Sequence, residues 1–180
     1  MDHVLHTLRS ENKEYMTSLG FIITGFLMLA VAGLCITPST MSVDNMNAFR
    51  MFGGIALVII GILIFYMNRN GMYAAIMIAN GLMFVLAAQV SLESTRDFVM
   101  ILFIVGYILM ALMAVIGTER SYLVAVTFIF IALNLVVRYL LGVSDDGTSI
   151  FGGVFCLISA IMSIYIGLAM IDRNSSLPLF

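Results

Sequence analysis

Few polar side chains of this sequence sit deep in its long apolar spans: Thr24, Asn80, Gln89, Thr127, Asn134 and Arg138. A polar group surrounded by apolar neighbours is costly unless something satisfies it, so each marks either an interhelical hydrogen bond or the wall of a solute path. Asn80, next to Gly81, is central to its run and could face a narrow aqueous path; the alternative is a bond to a neighbouring helix. Asn134 and Arg138 are four residues apart, hence on one helical face, where they would form a positive mouth that attracts anions. The competing reading is an arginine snorkelling to the headgroups beside an amide bonded to another helix. Gln89 lies half a helical rotation from Asn80 and reads as interfacial, while Ser159 and Ser163 read as a packing stripe.

Reactive groups are scarcer still. The only histidines are His3 and His6, outside the apolar runs, and no carboxylate lies within any run. Cys35 and Cys156 sit in apolar surroundings and read as small hydrophobic residues, with the spacing of neither a disulfide framework nor a metal motif. Haem ligation, quinone oxidation and zinc proteolysis need ligands or bases that are missing here. The expectation is therefore a protein that is not an enzyme and carries no cofactor and no metal.

The elements that position these groups follow from where charge is absent. Hydrophobic residues make up 62% of the 180 and charged residues 10%, and the charges delimit uncharged runs at 15–43, 51–68, 70–92, 98–118, 121–137 and 147–171. About 20 residues of helix cross a bilayer, and these runs are apolar on every face rather than alternating, which excludes barrel strands. The fold class is an all-α integral membrane protein of six transmembrane helices, with spans at 19–37, 51–67, 72–90, 98–117, 121–141 and 150–171 in a single domain covering 1–180.

Residues 1–15 are polar and lack the features of a cleaved signal. Met1, Val4, Leu5 and Leu8 share a face opposite Asp2 and Arg9, which suits a short interfacial helix or, equally, a frayed tail. Arg9, Lys13, Arg69, Arg120 and Arg173 fall on one side of the membrane, against Arg50, Arg96 and Arg138 on the other. That asymmetry favours both termini in the cytoplasm, and the expected location is a cell or plasma (inner) membrane. Membrane lipid and a small solute are the expected partners; nucleic acid is not.

Glycines recur along the spans, with Phe52-Gly53-Gly54-Ile55 and Phe151-Gly152-Gly153-Val154 opening the second and sixth, each followed by a tyrosine fourteen residues after its phenylalanine. Their reading is close helix packing, not the inverted repeat of a transporter. Methionines are scattered over all faces, unlike a copper-binding cluster, and read as adaptable filling. Phe21, Phe26, Phe84, Phe103 and Phe128 read as packing or lipid-facing residues unless several meet at one constriction, where they could gate by dewetting.

The ordered small residues add a further layer. Leu19-Gly20, Gly25, Gly53-Gly54-Ile55-Ala56 with Gly61 and Leu63, Asn70, Gly81, Gly117-Thr118, Gly142, Leu157-Ile158, Ile164-Tyr165 and Leu177-Pro178 occur in nearly gapless order. In this the chain resembles the acetate uptake transporter family, which includes bacterial succinate and acetate permeases. The resemblance implies a six-helix pore in each protomer, a ring-shaped homo-oligomer of six, and passage of small monocarboxylates or dicarboxylates. The family's Asn-Pro-Ala-Pro motif is replaced by Tyr15-Met16-Thr17-Ser18, and its glutamine and glutamate of the second span by Leu57 and Ile64. The phenylalanine, tyrosine and leucine that narrow the family's pore correspond by resemblance to Thr24, Asn80 and Ala132, with Phe21 and Phe84 as neighbours able to rebuild the constriction.

The resulting expectation is a channel or permease for a small organic anion such as acetate or succinate. Two alternatives stand beside it: a channel for a neutral solute such as urea, an amide or ammonia, and a non-conducting subunit that packs against partner membrane proteins.

Overall fold

The computed structural model describes residues 2–37, 42–68, 71–89, 96–117, 121–141 and 149–171. They form six α-helices: α1 (Asp2–Ile36), α2 (Val43–Asn68), α3 (Gly71–Gln89), α4 (Arg96–Ile116), α5 (Tyr122–Leu140) and α6 (Ile150–Ile171). Each contains a stretch long and apolar enough to cross a bilayer, giving an all-α, membrane-embedded protein. Asn70, Thr118, Gly142, Leu177 and Pro178 lie outside the described residues.

Serine starts three of the helices. Ser121 is extended (φ −137°, ψ 103°), and its Oγ accepts from the Val124 amide at 3.4 Å, satisfying an N–H that α5 cannot bond internally. Ser149 does the same for Gly152 at 3.1 Å ahead of α6, and Ser42 for Asn45 at 3.3 Å at the start of α2. The Ser42 cap lets α2 begin eight residues before the span expected from charge. Arg50, assigned to a loop by the charge pattern, is consequently about two turns inside the helix. At the other end of the sequence, residues 2–14 continue directly into α1 instead of forming a separate helix, and the interfacial face suggested for them rests on side chains outside the described ones.

Successive helices pack against one another, and α1 closes on α6, so the six form a ring within the single chain. Antiparallel contacts fix the register. On α1 and α6, Gly25 faces Ala160 and Ile164 while Gly167 faces Ser18 and Ile22; on α2 and α3, Gly54 faces Gly81 and Val85 while Gly61 faces Ala74 and Ile78. A Cβ on Gly81 would stand 2.5 Å from the Gly54 carbonyl oxygen, so these two backbones meet with no room for a side chain. The α3–α4 seam is built differently: the Met83 and Met72 side chains reach across to Gly106 and Gly117, filling with flexible thioethers what glycine closes elsewhere.

Outward surfaces are large and apolar, as lipid contact requires: Phe26, Phe52, Phe65, Phe98, Ile116 and Leu140 are all exposed. Inside, Phe21, Leu27, Leu57, Ile64, Ile76, Met77, Phe128 and Ile166 fill the core.

Candidate functional site

The buried polar groups gather at two levels. The first lies mid-bundle, where α1, α3 and α4 converge. The Tyr107 hydroxyl donates to Asn80 Oδ1 (3.2 Å), Asn80 Nδ2 donates to Thr24 Oγ1 (2.9 Å), and Thr24 Oγ1 donates to the Gly20 carbonyl (2.9 Å). This one-way chain uses both ends of the Asn80 amide, whose side chain is 0% exposed. Helix spacing explains the terminal link, because a threonine hydroxyl can reach the carbonyl four residues back. Aromatic rings flank the level: Phe21 meets Tyr73 edge-on at 6.1 Å, and Tyr107 stacks on Phe128 at 6.1 Å.

Of the residues expected at a constriction, Thr24 and Asn80 are thus brought into direct contact, and Phe21, one turn before Thr24, is buried with them. Ala132 is buried one turn beyond Phe128 on α5, and Phe84 is buried one turn beyond Asn80 on α3. Phe103 is buried, whereas Phe26 is exposed. Gln89 is exposed at the end of α3, where its Nε2 donates to Met51 Sδ at 3.6 Å. Thr127 and Ser159 spend their hydroxyls on carbonyls four residues back, those of Leu123 and Phe155, and the Ser163 hydroxyl is buried without a hydrogen-bond partner.

The second level lies where α1, α3 and α5 end and α2, α4 and α6 begin. Arg138 is 3% exposed and Arg50 6%. Both guanidinium groups lie within electrostatic reach of the Cys156 sulfur, and Arg50 also of the Tyr107 hydroxyl, which relates the two levels in space. Both are engaged by neighbouring groups. Among the residues whose side chains are described no carboxylate is buried; the side chains of Glu93, Asp97, Asp145 and Asp146 lie outside them.

Asn134 sits on the inner side of α5 against α6. Its Oδ1 is buried with no hydrogen-bond partner and lies 2.7 Å from where a Cβ on Gly152 would stand. Ser149, also buried, holds the start of α6 and ties it to α1 by donating its amide to the Cys35 carbonyl at 3.0 Å. No group of three His, Cys, Asp or Glu side chains able to hold a metal ion occurs among the described residues.

Two participants were not singled out for the site from sequence. Tyr107 stands in an uncharged run, and its hydroxyl was the signal: a buried phenol needs a partner as much as an amide does. Arg50 was counted only for topology, since its position at the edge of a charge-free run hid the fact that its helix starts earlier. The arrangement suits electrostatic recognition and positioning of a solute, by cations at one level and by neutral hydrogen-bonding groups at the next. No family model, curated protein or solved structure matches the chain.

Proposed function

We propose that this chain is a membrane permease or channel for a small organic anion, entering past Arg50 and Arg138 and crossing the Tyr107–Asn80–Thr24 level. The observation that carries the reading is the pair of buried arginines at one end of the bundle. Burying a cation is costly, and an anion that joins or exchanges with its contacts recovers part of that cost. The mid-bundle level supplies hydroxyls and an amide that can exchange their mutual hydrogen bonds for bonds to a passing carboxylate. Its flanking aromatics would serve as the movable apolar barrier.

The resemblance to acetate uptake transporters supports the same cargo and extends the proposal to a ring-shaped homo-oligomer of six copies in an inner or plasma membrane, both termini cytoplasmic. Proteoliposomes containing the purified chain are expected to take up labelled acetate or succinate saturably, above empty-vesicle background, with urea at background. Absence of acetate, succinate and lactate uptake over a range of pH would overturn the proposal. A second reading, a neutral-solute channel, is favoured by one feature only: the mid-bundle level carries no charge. Urea uptake without anion uptake in the same vesicles would select it.

A further inference from the structure

The chain has two cysteines, 121 positions apart in sequence, and the fold brings them together. Cys35 is in the last turn of α1, and Cys156 lies within the second turn of α6. The Cys35 side chain lies within hydrogen-bonding reach of the Cys156 thiol, both side chains are buried, and neither is in a disulfide. Three backbone features make the approach specific. The Ser149 amide donates to the Cys35 carbonyl at 3.0 Å, anchoring the end of α1 to the start of α6. Gly153 leaves out a side chain whose Cβ would stand 3.3 Å from Cys35 Cβ. Cys156 follows Gly153 by three residues and so presents its sulfur on the same face of α6.

From this juxtaposition we infer that Cys35 and Cys156 form an oxidisable dithiol whose product is an intramolecular disulfide joining α1 to α6. A disulfide requires close Cβ atoms with sulfurs that can turn toward one another, and thiols already within reach of each other need side-chain rotation and a small closure rather than a rearrangement of helices. The position of Cys35 in a terminal turn, where backbone adjusts most readily, supplies that closure. The oxidant is a small uncharged peroxide, because the buried sulfurs are closed to bulky reagents. One sulfur attacks a peroxide oxygen, the O–O bond breaks, and water leaves with the thiol proton, giving a sulfenic acid. The second sulfur then attacks the first, the S–S bond forms, and the hydroxyl departs as a second water. Two thiols are oxidised while one hydrogen peroxide is reduced to two waters.

The bond would fasten α1 to α6 at the level of Arg50 and Arg138, since both cations lie within electrostatic reach of Cys156. The inference does not depend on what the protein transports, nor on which side of the membrane this end faces.

The test uses the full chain in detergent micelles. Before oxidation, maleimide-polyethylene glycol should label neither cysteine in the folded protein and both after denaturation in SDS. After hydrogen peroxide followed by catalase, SDS-denatured protein should accept no label, run as a monomer without reductant, and show an intact mass lower by two hydrogens. Dithiothreitol should restore both labels, and a peptide pair linked through residues 35 and 156 should be found. Cys35→Ser and Cys156→Ser should each abolish the two-hydrogen loss, with peroxide adding oxygen to the remaining sulfur or leaving it unchanged. Retention of both labels after peroxide, a disulfide-linked dimer, or addition of oxygen to the wild-type thiols without the linked peptide would overturn the inference.

Discussion

The mid-bundle level and the arginine end solve the problem of buried polarity in opposite ways. At mid-bundle, three neutral side chains from three helices spend their donors and acceptors on each other, ending at a backbone carbonyl. At the arginine end, two cations are buried and an amide oxygen lacks a partner. The first arrangement is what stability favours, because every polar atom left unsatisfied in a dry interior counts against folding. Buried charge and an unpaired amide oxygen of the second kind cost stability and cluster at functional sites. The difference teaches that the mid-bundle level holds the helices in register, whereas the arginine end is the place to look for recognition.

Substitutions sharpen this contrast in order of size. Asn80→Ala removes the centre of the network, leaving the Tyr107 hydroxyl without its acceptor and a void beside Thr24. Unfolding in a detergent–SDS titration should show a loss of about 2 kcal/mol. Gly81→Ala acts on the same level through the backbone: its Cβ would press on the Gly54 carbonyl and the Val58 amide, displacing α3 and with it Asn80. Overpacking outweighs the gain in helix propensity, so the same titration should report a loss of about 1 to 1.5 kcal/mol. Tyr107→Phe keeps the ring stacked on Phe128 but deletes the donor to Asn80, for about 0.5 to 1 kcal/mol. Asn134→Ala, by contrast, removes an oxygen that already lacks a partner and should shift stability by no more than about 0.5 kcal/mol. Equal losses for Asn80→Ala and Asn134→Ala would erase the distinction between the two levels.

Much of this was legible in the sequence, for a physical reason. Six helices follow from six gaps between charges, because hydrocarbon tolerates almost no charge and requires every backbone group to bond within its own segment. The same penalty made Asn80 and Thr24 conspicuous, and they proved to touch. What stayed hidden depends on distance through the fold rather than along the chain. Neither the acceptance of the Tyr107 proton by Asn80 nor the meeting of Cys35 with Cys156 leaves a spacing signature, since the partners come from different helices. Arg50 escapes the charge pattern for a local reason: charge alone starts the second span after it, whereas the Ser42 cap extends α2 past Arg50. Glycine showed a related limit. Gly54 and Gly81 announced close packing, but that α2 and α3 meet through them while α3 and α4 are bridged by methionine emerges only when the helices are placed.

Admission of an anion at the arginine end is tested most directly by comparing anion with neutral-solute uptake in variants of that end. Proteoliposomes holding equal amounts of folded wild type, Arg50→Gln and Arg138→Gln should be assayed side by side with labelled acetate, succinate and urea. If the arginine end admits an anion, either substitution lowers anion uptake at least about tenfold, corresponding to about 1.4 kcal/mol of lost interaction, and leaves urea at background. Anion uptake unchanged in both variants would contradict it.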